Sequence, residues 1–237
     1  MNPWFVWNNK NSLSDFHLWI NKLPKITRAK ERYLTVDVPG RAGSLVMLEG
    51  EDVYESYTKE ITVLTRNDNP NLQKALDWLR GEGTLIVCTE IEKAYTGRIV
   101  SEVQFDRLGN DLLQAKITFF VDPYKANRYQ EKDAITVTGS SATIFNPGDV
   151  KSKPVVKIVG TGSNTITIGG KSMTFSSLSG TSSKPVVVDC DAHIITKNGA
   201  LWTNSVSGEF WKIPKGSSTV TQTGSMTITI QPNWRWV

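Results

Sequence analysis

The chain has 237 residues, 39% of them apolar and 21% charged, with a net charge of +4 and two cysteines. That length exceeds the ~150 residues of a typical domain, and the apolar content suffices for two modest cores. The basic excess is scattered and no window approaches the ~20 apolar residues of a bilayer span, so neither nucleic-acid recognition nor membrane insertion is expected.

Charge and composition divide the chain. Residues 1–133 hold 18 Lys+Arg against 19 Asp+Glu, net −1, while residues 134–237 hold 9 against 4, net +5. Gly, Ser and Thr supply 41 of the 104 residues of the second part, and these residues build turns and polar strand faces rather than helices. Two domains are expected, 1–133 and 134–237.

The opening MNPWFVWNNK has no basic segment followed by an apolar stretch, so no secretory signal is expected. Phe16–Ile20 reads as a strand. Tyr33 to Val38 alternates apolar and polar residues and stops at Pro39-Gly40, the pattern of a half-buried strand ended by a turn. Glu60–Thr65 is a further strand. Leu72, Ala75, Leu76 and Leu79 recur at spacings of three and four, which predicts a helix over Asn71–Arg80, with Asn69 to cap it, Pro70 in its first turn and Gly81 to end it. Strands follow at Thr84–Glu90, Tyr95–Phe105 and Leu112–Val121.

A polar stretch, Lys125–Asp133, leads to short strands at Ala134–Thr138, Val155–Val159, Thr165–Ile168, Ser172–Phe175, Val186–Cys190, His193–Thr196 and Ser225–Ile230. Their spacing indicates an antiparallel sandwich or jelly roll. Gly160-Thr161-Gly162 and Gly169-Gly170 precede no helix, so they read as hairpin turns rather than phosphate loops. Ser176–Ser183 reads as a surface loop.

Candidate chemistry is sparse. Asp189, Asp191 and His193 share a strand face and carry donors suited to a divalent ion. A solvent-facing strand end, with Val186, Val188 and Cys190 turned to the core, explains the same alternation and is preferred. His17 and His193 fall in different domains and no Gly-x-Ser-x-Gly elbow is present, which excludes a nucleophilic triad. Glu49, Glu51, Asp52, Glu90 and Glu92 read as solvated charge near turns rather than as a glycosidase acid and base. Cys88 and Cys190 lie in apolar runs and read as buried reduced thiols, in keeping with folding in a cytoplasm. No enzymatic activity, catalytic residue, metal or cofactor is expected. Eight tryptophans either fill the cores, the preferred reading, or stack on sugar rings, which would make the chain a carbohydrate-binding β-sandwich protein of a tail tip or cell wall.

Val36-Asp37-Val38-Pro39-Gly40-Arg41-Ala42-Gly43-Ser44-Leu45, preceded by a strand and a turn at Ser14-Asp15-Phe16, resembles the opening of the siphophage distal tail protein family. The resemblance continues through Ile61-Thr62-Val63, Asp77-Trp78-Leu79, Ala94 to Ile99 and Ile117 to Tyr124. It extends to Asn146-Pro147-Gly148, Lys153 to Ile158, Val186 to Asp189 and Gly208 to Gly216.

The resemblance implies a mainly β (α+β) chain. Its N-terminal part would be a tail-tube-like β-sandwich with one helix that closes into a hexameric ring, and its C-terminal part a galectin-like jelly-roll β-sandwich. It further implies a virion hub at the tail tip, assembled in the host cytoplasm. Such a hub joins the tail tube protein and tape-measure protein to the tail-associated baseplate protein and, in some phages, a receptor-binding protein, while DNA passes through the ring. With 237 residues, only the two basic domains and no added sugar-binding module are expected, any sugar binding being left to the C-terminal domain.

Overall fold

The computed structural model describes residues 3–202 and 205–237. The chain is mostly β and divides into two compact units, residues 1–128 with Val237, and residues 129–236.

The first unit contains β1 (Phe5–Trp7), β2 (Lys10–Asn11), α1 (Ser12–Phe16), β3 (Trp19–Lys22), β4 (Tyr33–Val36), β5 (Leu45–Leu48), β6 (Tyr57–Arg66), α2 (Leu72–Trp78), β7 (Glu82–Val87), β8 (Lys93–Ile99), β9 (Asp106–Leu108) and β10 (Leu112–Asn127). The main sheet runs β2-β1-β7-β8-β10-β6-β3, with β9 added beside β10. Every pairing among these strands is antiparallel. The long β6–β10 pair is its spine, matching Leu112 to Arg66 and Val121 to Tyr57 in unbroken register. Alternation explains it: Ile61, Val63, Ala115, Ile117, Phe119 and Val121 face the core, while Glu60, Lys116 and Thr118 face outward.

The helix expected over Asn71–Arg80 is α2. Asn69 accepts a hydrogen bond from the Asn71 amide at 2.9 Å, and the helix buries Ala75, with Leu79 just past its end. Trp78 lies between Phe16 and Phe5, with centroids 4.3 and 5.5 Å away, and its indole donates to the Trp7 carbonyl.

Phe16–Ile20 is not one strand. Residues 12–16 form a second α-helix, α1, which the expectation of a single helix omitted, and only from Trp19 does the chain extend. The cause is local. Asn11 accepts from the Leu13 and Ser14 amides while Asp15 accepts from the Asn11 amide, a reciprocal cap that makes the turn through Ser14-Asp15-Phe16 helical.

The second unit contains β11 (Ile135–Val137), β12 (Ser141–Asn146), β13 (Val155–Ile168), β14 (Lys171–Gly180), β15 (Val186–Asp189), β16 (Ile194–Lys197), β17 (Ala200–Leu201), β18 (Val206–Gly208), β19 (Gly216–Gln222) and β20 (Thr227–Gln231). One sheet runs β11-β20-β13-β15-β16-β17 and the other β12-β19-β13-β14-β18. They enclose a core of Val156, Ile158, Ile166, Phe175, Val188, Trp211, Ile228 and their neighbours.

Gly160-Thr161-Gly162 is not a turn but a bend inside β13, where the strand leaves one sheet and enters the other. Gly160 has φ of +149°, and a Cβ there would meet Met226 Cγ at 2.7 Å, so only glycine fits this corner. Gly169-Gly170 does close the β13–β14 hairpin, and the expected loop over Ser176–Ser183 is strand as far as Gly180. Asn146 is buried and ties two segments together, donating to the carbonyls of Val150 and Ile213 at 3.1 and 3.0 Å while accepting from Gly148.

Candidate assembly surface

One element of the first unit stands outside its core. β4 and β5 pair only with each other, Tyr33 opposite Leu48, Leu34 opposite Met47, Thr35 opposite Val46 and Val36 opposite Leu45. One face of this hairpin therefore carries Leu34, Val36, Leu45 and Met47, and the other Tyr33, Thr35, Val46 and Leu48. All eight are exposed, Leu48 at 63% and Val46 at 58%.

Tyr33–Val38 is thus not the half-buried strand expected from its alternation. β5, which has no polar residue, supplies apolar side chains to both faces, and among the described residues neither face is covered.

The Val-Pro-Gly-Arg-x-Gly run forms the tip of this arm. Gly40 and Gly43 both sit at φ of +81°, the left-handed region open to glycine. The Arg41 amide donates to the Val38 carbonyl, and the Ser44 hydroxyl donates to Asp37 at 2.5 Å. The arm's root is closed by backbone bonds: Arg32 N–H to the Val53 carbonyl, Glu49 N–H to the Arg32 carbonyl and Glu55 N–H to the Lys30 carbonyl, at 3.0, 3.2 and 2.8 Å.

The residues singled out as candidate chemistry do not converge. Asp191 accepts from Lys153 at 2.8 Å and Arg235 at 2.7 Å, and these two cations hold its carboxyl below the usual carboxylate range against the opposing effect of burial. Asp189 accepts from the amides of Asp191 and Ala192 at 2.9 Å, and His193 meets the edge of Phe210. No group of three metal-binding side chains occurs among the described residues.

Glu90 pairs with Lys125 at 3.1 Å and accepts from the Tyr95 hydroxyl, and Glu49 faces Arg32 at 3.7 Å. Cys190 is buried, which pushes its thiol up to about 12, and Cys88 is half-buried; both are free. The tryptophans divide between buried (Trp7, Trp211, Trp234) and half-buried (Trp4, Trp19, Trp78, Trp202, Trp236), with none fully exposed.

A shallow hollow of about 320 Å³ lies against β3 and the loop before α2, lined in part by Leu13, Trp19 and Asn69. Its buried polar groups serve the fold: the Thr65 hydroxyl donates to the His17 carbonyl, and Asn69 donates to the Phe16 carbonyl and to Thr65.

A curled antiparallel sheet followed by a two-sheet sandwich is a fold this chain shares with a solved phage protein. Among solved structures the chain superposes on the SPP1 Dit (gp 19.1) protein with a TM-score of 0.77, over 100% of both chains, at 14% sequence identity. That protein is described as a paradigm of the hub adsorption apparatus in phages infecting Gram-positive bacteria. No protein-family model and no curated protein matches the chain.

Proposed function

We propose that this chain is a structural hub protein of a long-tailed phage, a ring subunit at the tail tip rather than an enzyme. The observation that carries the reading is the β4–β5 arm: within a distal tail fold, a hairpin apolar on both faces is made to be covered by another subunit. An uncovered apolar surface of this kind on a β-ribbon with two free edges is a site of protein association. Ring closure uses such contacts heterologously, the arm of one subunit against a different surface of the next.

In this reading the first unit closes a six-membered ring, through which DNA passes without sequence-specific contacts. The ring joins the tail tube protein and the tape-measure protein on one side to the tail-associated baseplate protein and, in some phages, a receptor-binding protein on the other. The carbohydrate-binding alternative is less well supported, because three of the tryptophans are buried and the other five are half-buried, none standing fully exposed.

The test is the solution mass of the purified chain by light scattering behind size exclusion, over a range of concentrations, alone and with tail tube protein. A mass near six times 26.4 kDa in either setting supports the hub. A strict monomer in both, together with retention on host cell-wall polysaccharide, would replace it with the sugar-binding reading.

A further inference from the structure

The chain reaches the arm through residues 23–32, a strap that is mostly exposed and joins no strand apart from a single bridge between Glu31 and Tyr54. Two carbonyls of this strap are taken by side chains from β6. Lys59 Nζ donates to the Lys25 carbonyl at 2.9 Å, and the Tyr57 hydroxyl donates to the Thr27 carbonyl at 3.4 Å.

Lys59 is only 3% exposed, so its ammonium has been drawn out of water. It also donates to the Tyr95 hydroxyl at 3.3 Å and lies 4.7 Å from the centre of that ring. Tyr95 in turn donates to Glu90, and the equally buried Lys125 donates to the other Glu90 oxygen at 3.1 Å. Lys125 thus pairs with Glu90 directly, and Lys59 reaches the same carboxylate through the Tyr95 hydroxyl.

Burying an ammonium costs more than burying a methionine of similar length, and apolar replacement of such groups is frequently neutral or stabilising. Stability is therefore a poor account of Lys59. What a long buried cation does here, and an apolar side chain cannot, is hold a backbone carbonyl of the strap at a fixed distance from the sheet.

We propose that Lys59 is the positioning residue of the β4–β5 arm, fixing through the Lys25 carbonyl the place at which the arm leaves the sheet. The inference rests on the reading of the arm as an assembly surface. On the returning leg the Tyr124 hydroxyl, from β10, donates to the Asp52 carbonyl, so both legs are held by side chains of the two central strands.

The test is hydrogen exchange on the full-length chain, kept monomeric by dilution, for wild type, Lys59→Met and Tyr57→Phe. In Lys59→Met the amides of Arg32, Glu49 and Glu55 are expected to exchange about tenfold faster, while those of Ile61, Val63 and Ile117 keep their protection. Tyr57→Phe, which removes a single hydroxyl, should move the same three amides by a smaller factor. Unchanged exchange at the root in both variants, or acceleration spread equally over β6 and β10, would overturn the proposal. Root amides loosened in a chain that never assembles would uphold the positioning role and reject only the assembly reading.

Discussion

β6–β10 and β4–β5 are both antiparallel ladders rich in branched and aromatic side chains, yet one lies at the centre of a sheet and the other stands uncovered. In the first, Glu60, Lys116 and Thr118 alternate with the apolar residues, so one face of the ladder buries and the other meets water. In the second, Leu-Val-Met-Leu leaves no polar face at all. The comparison separates two meanings of an apolar strand: a one-sided pattern is completed by its own chain, whereas a two-sided pattern without a covering layer is completed by something else.

The largest expected effect comes from breaking the covered ladder. Phe119 is fully buried and packs edge-on against Phe5 and Trp7, so Phe119→Ala should cost about 3–5 kcal/mol in urea unfolding of the first unit. Close behind is Glu90→Ala, which strands Lys59 and Lys125 in the interior without a carboxylate and should cost about 3 kcal/mol by the same measurement.

The uncovered ladder should behave oppositely. Leu34→Ser with Met47→Ser should change the unfolding free energy of the dilute chain by no more than about 0.5 kcal/mol, while abolishing the high-mass species that light scattering is expected to show for the wild type. A large stability loss would mean that the arm is packed within its own chain.

The smallest effect is a pH profile. Burial lowers Lys59 below its ordinary 10.5, Glu90 opposing and Lys125 reinforcing that shift. Between the folded and unfolded values the unfolded chain binds more protons, so stability rises with pH over the range just below 10.5. Tyr57 does the reverse: burial and the nearby Glu90 push it from 10.0 up to about 12, so its contribution is present below pH 10 and is lost as pH climbs toward 12. Lys59→Met should erase the rising limb and leave the falling one, as followed by thermal melts in steps of pH.

Sequence reading reached what depends on one-sided periodicity. β10, β15, the two ends of β13 and the helix α2 were legible because their apolar residues keep a period of two or of three and four. It missed α1, where a reciprocal cap of Asn11 and Asp15 over five residues is too short to show a period. It misjudged β4, because alternation reports a difference between two faces and cannot report whether either face is covered. It also took the Gly160–Gly162 bend for a turn, since a glycine pair marks unusual backbone without saying whether the chain reverses. The Lys59 cluster was invisible for a plainer reason: its members come from residues 25, 59, 90, 95 and 125, joined only by the sheet.

β13 has a mechanical consequence. Because Val155–Ile168 runs unbroken through both sheets of the second unit, its hydrogen bonds are shared among β15, β20, β14 and β19. Those bonds lie across the strand axis, so tension drawn along β13 loads many of them at once in shear instead of peeling them singly. Tension along that line is thereby opposed by both sheets, with the bend at Gly160 as the place where one sheet hands the load to the other.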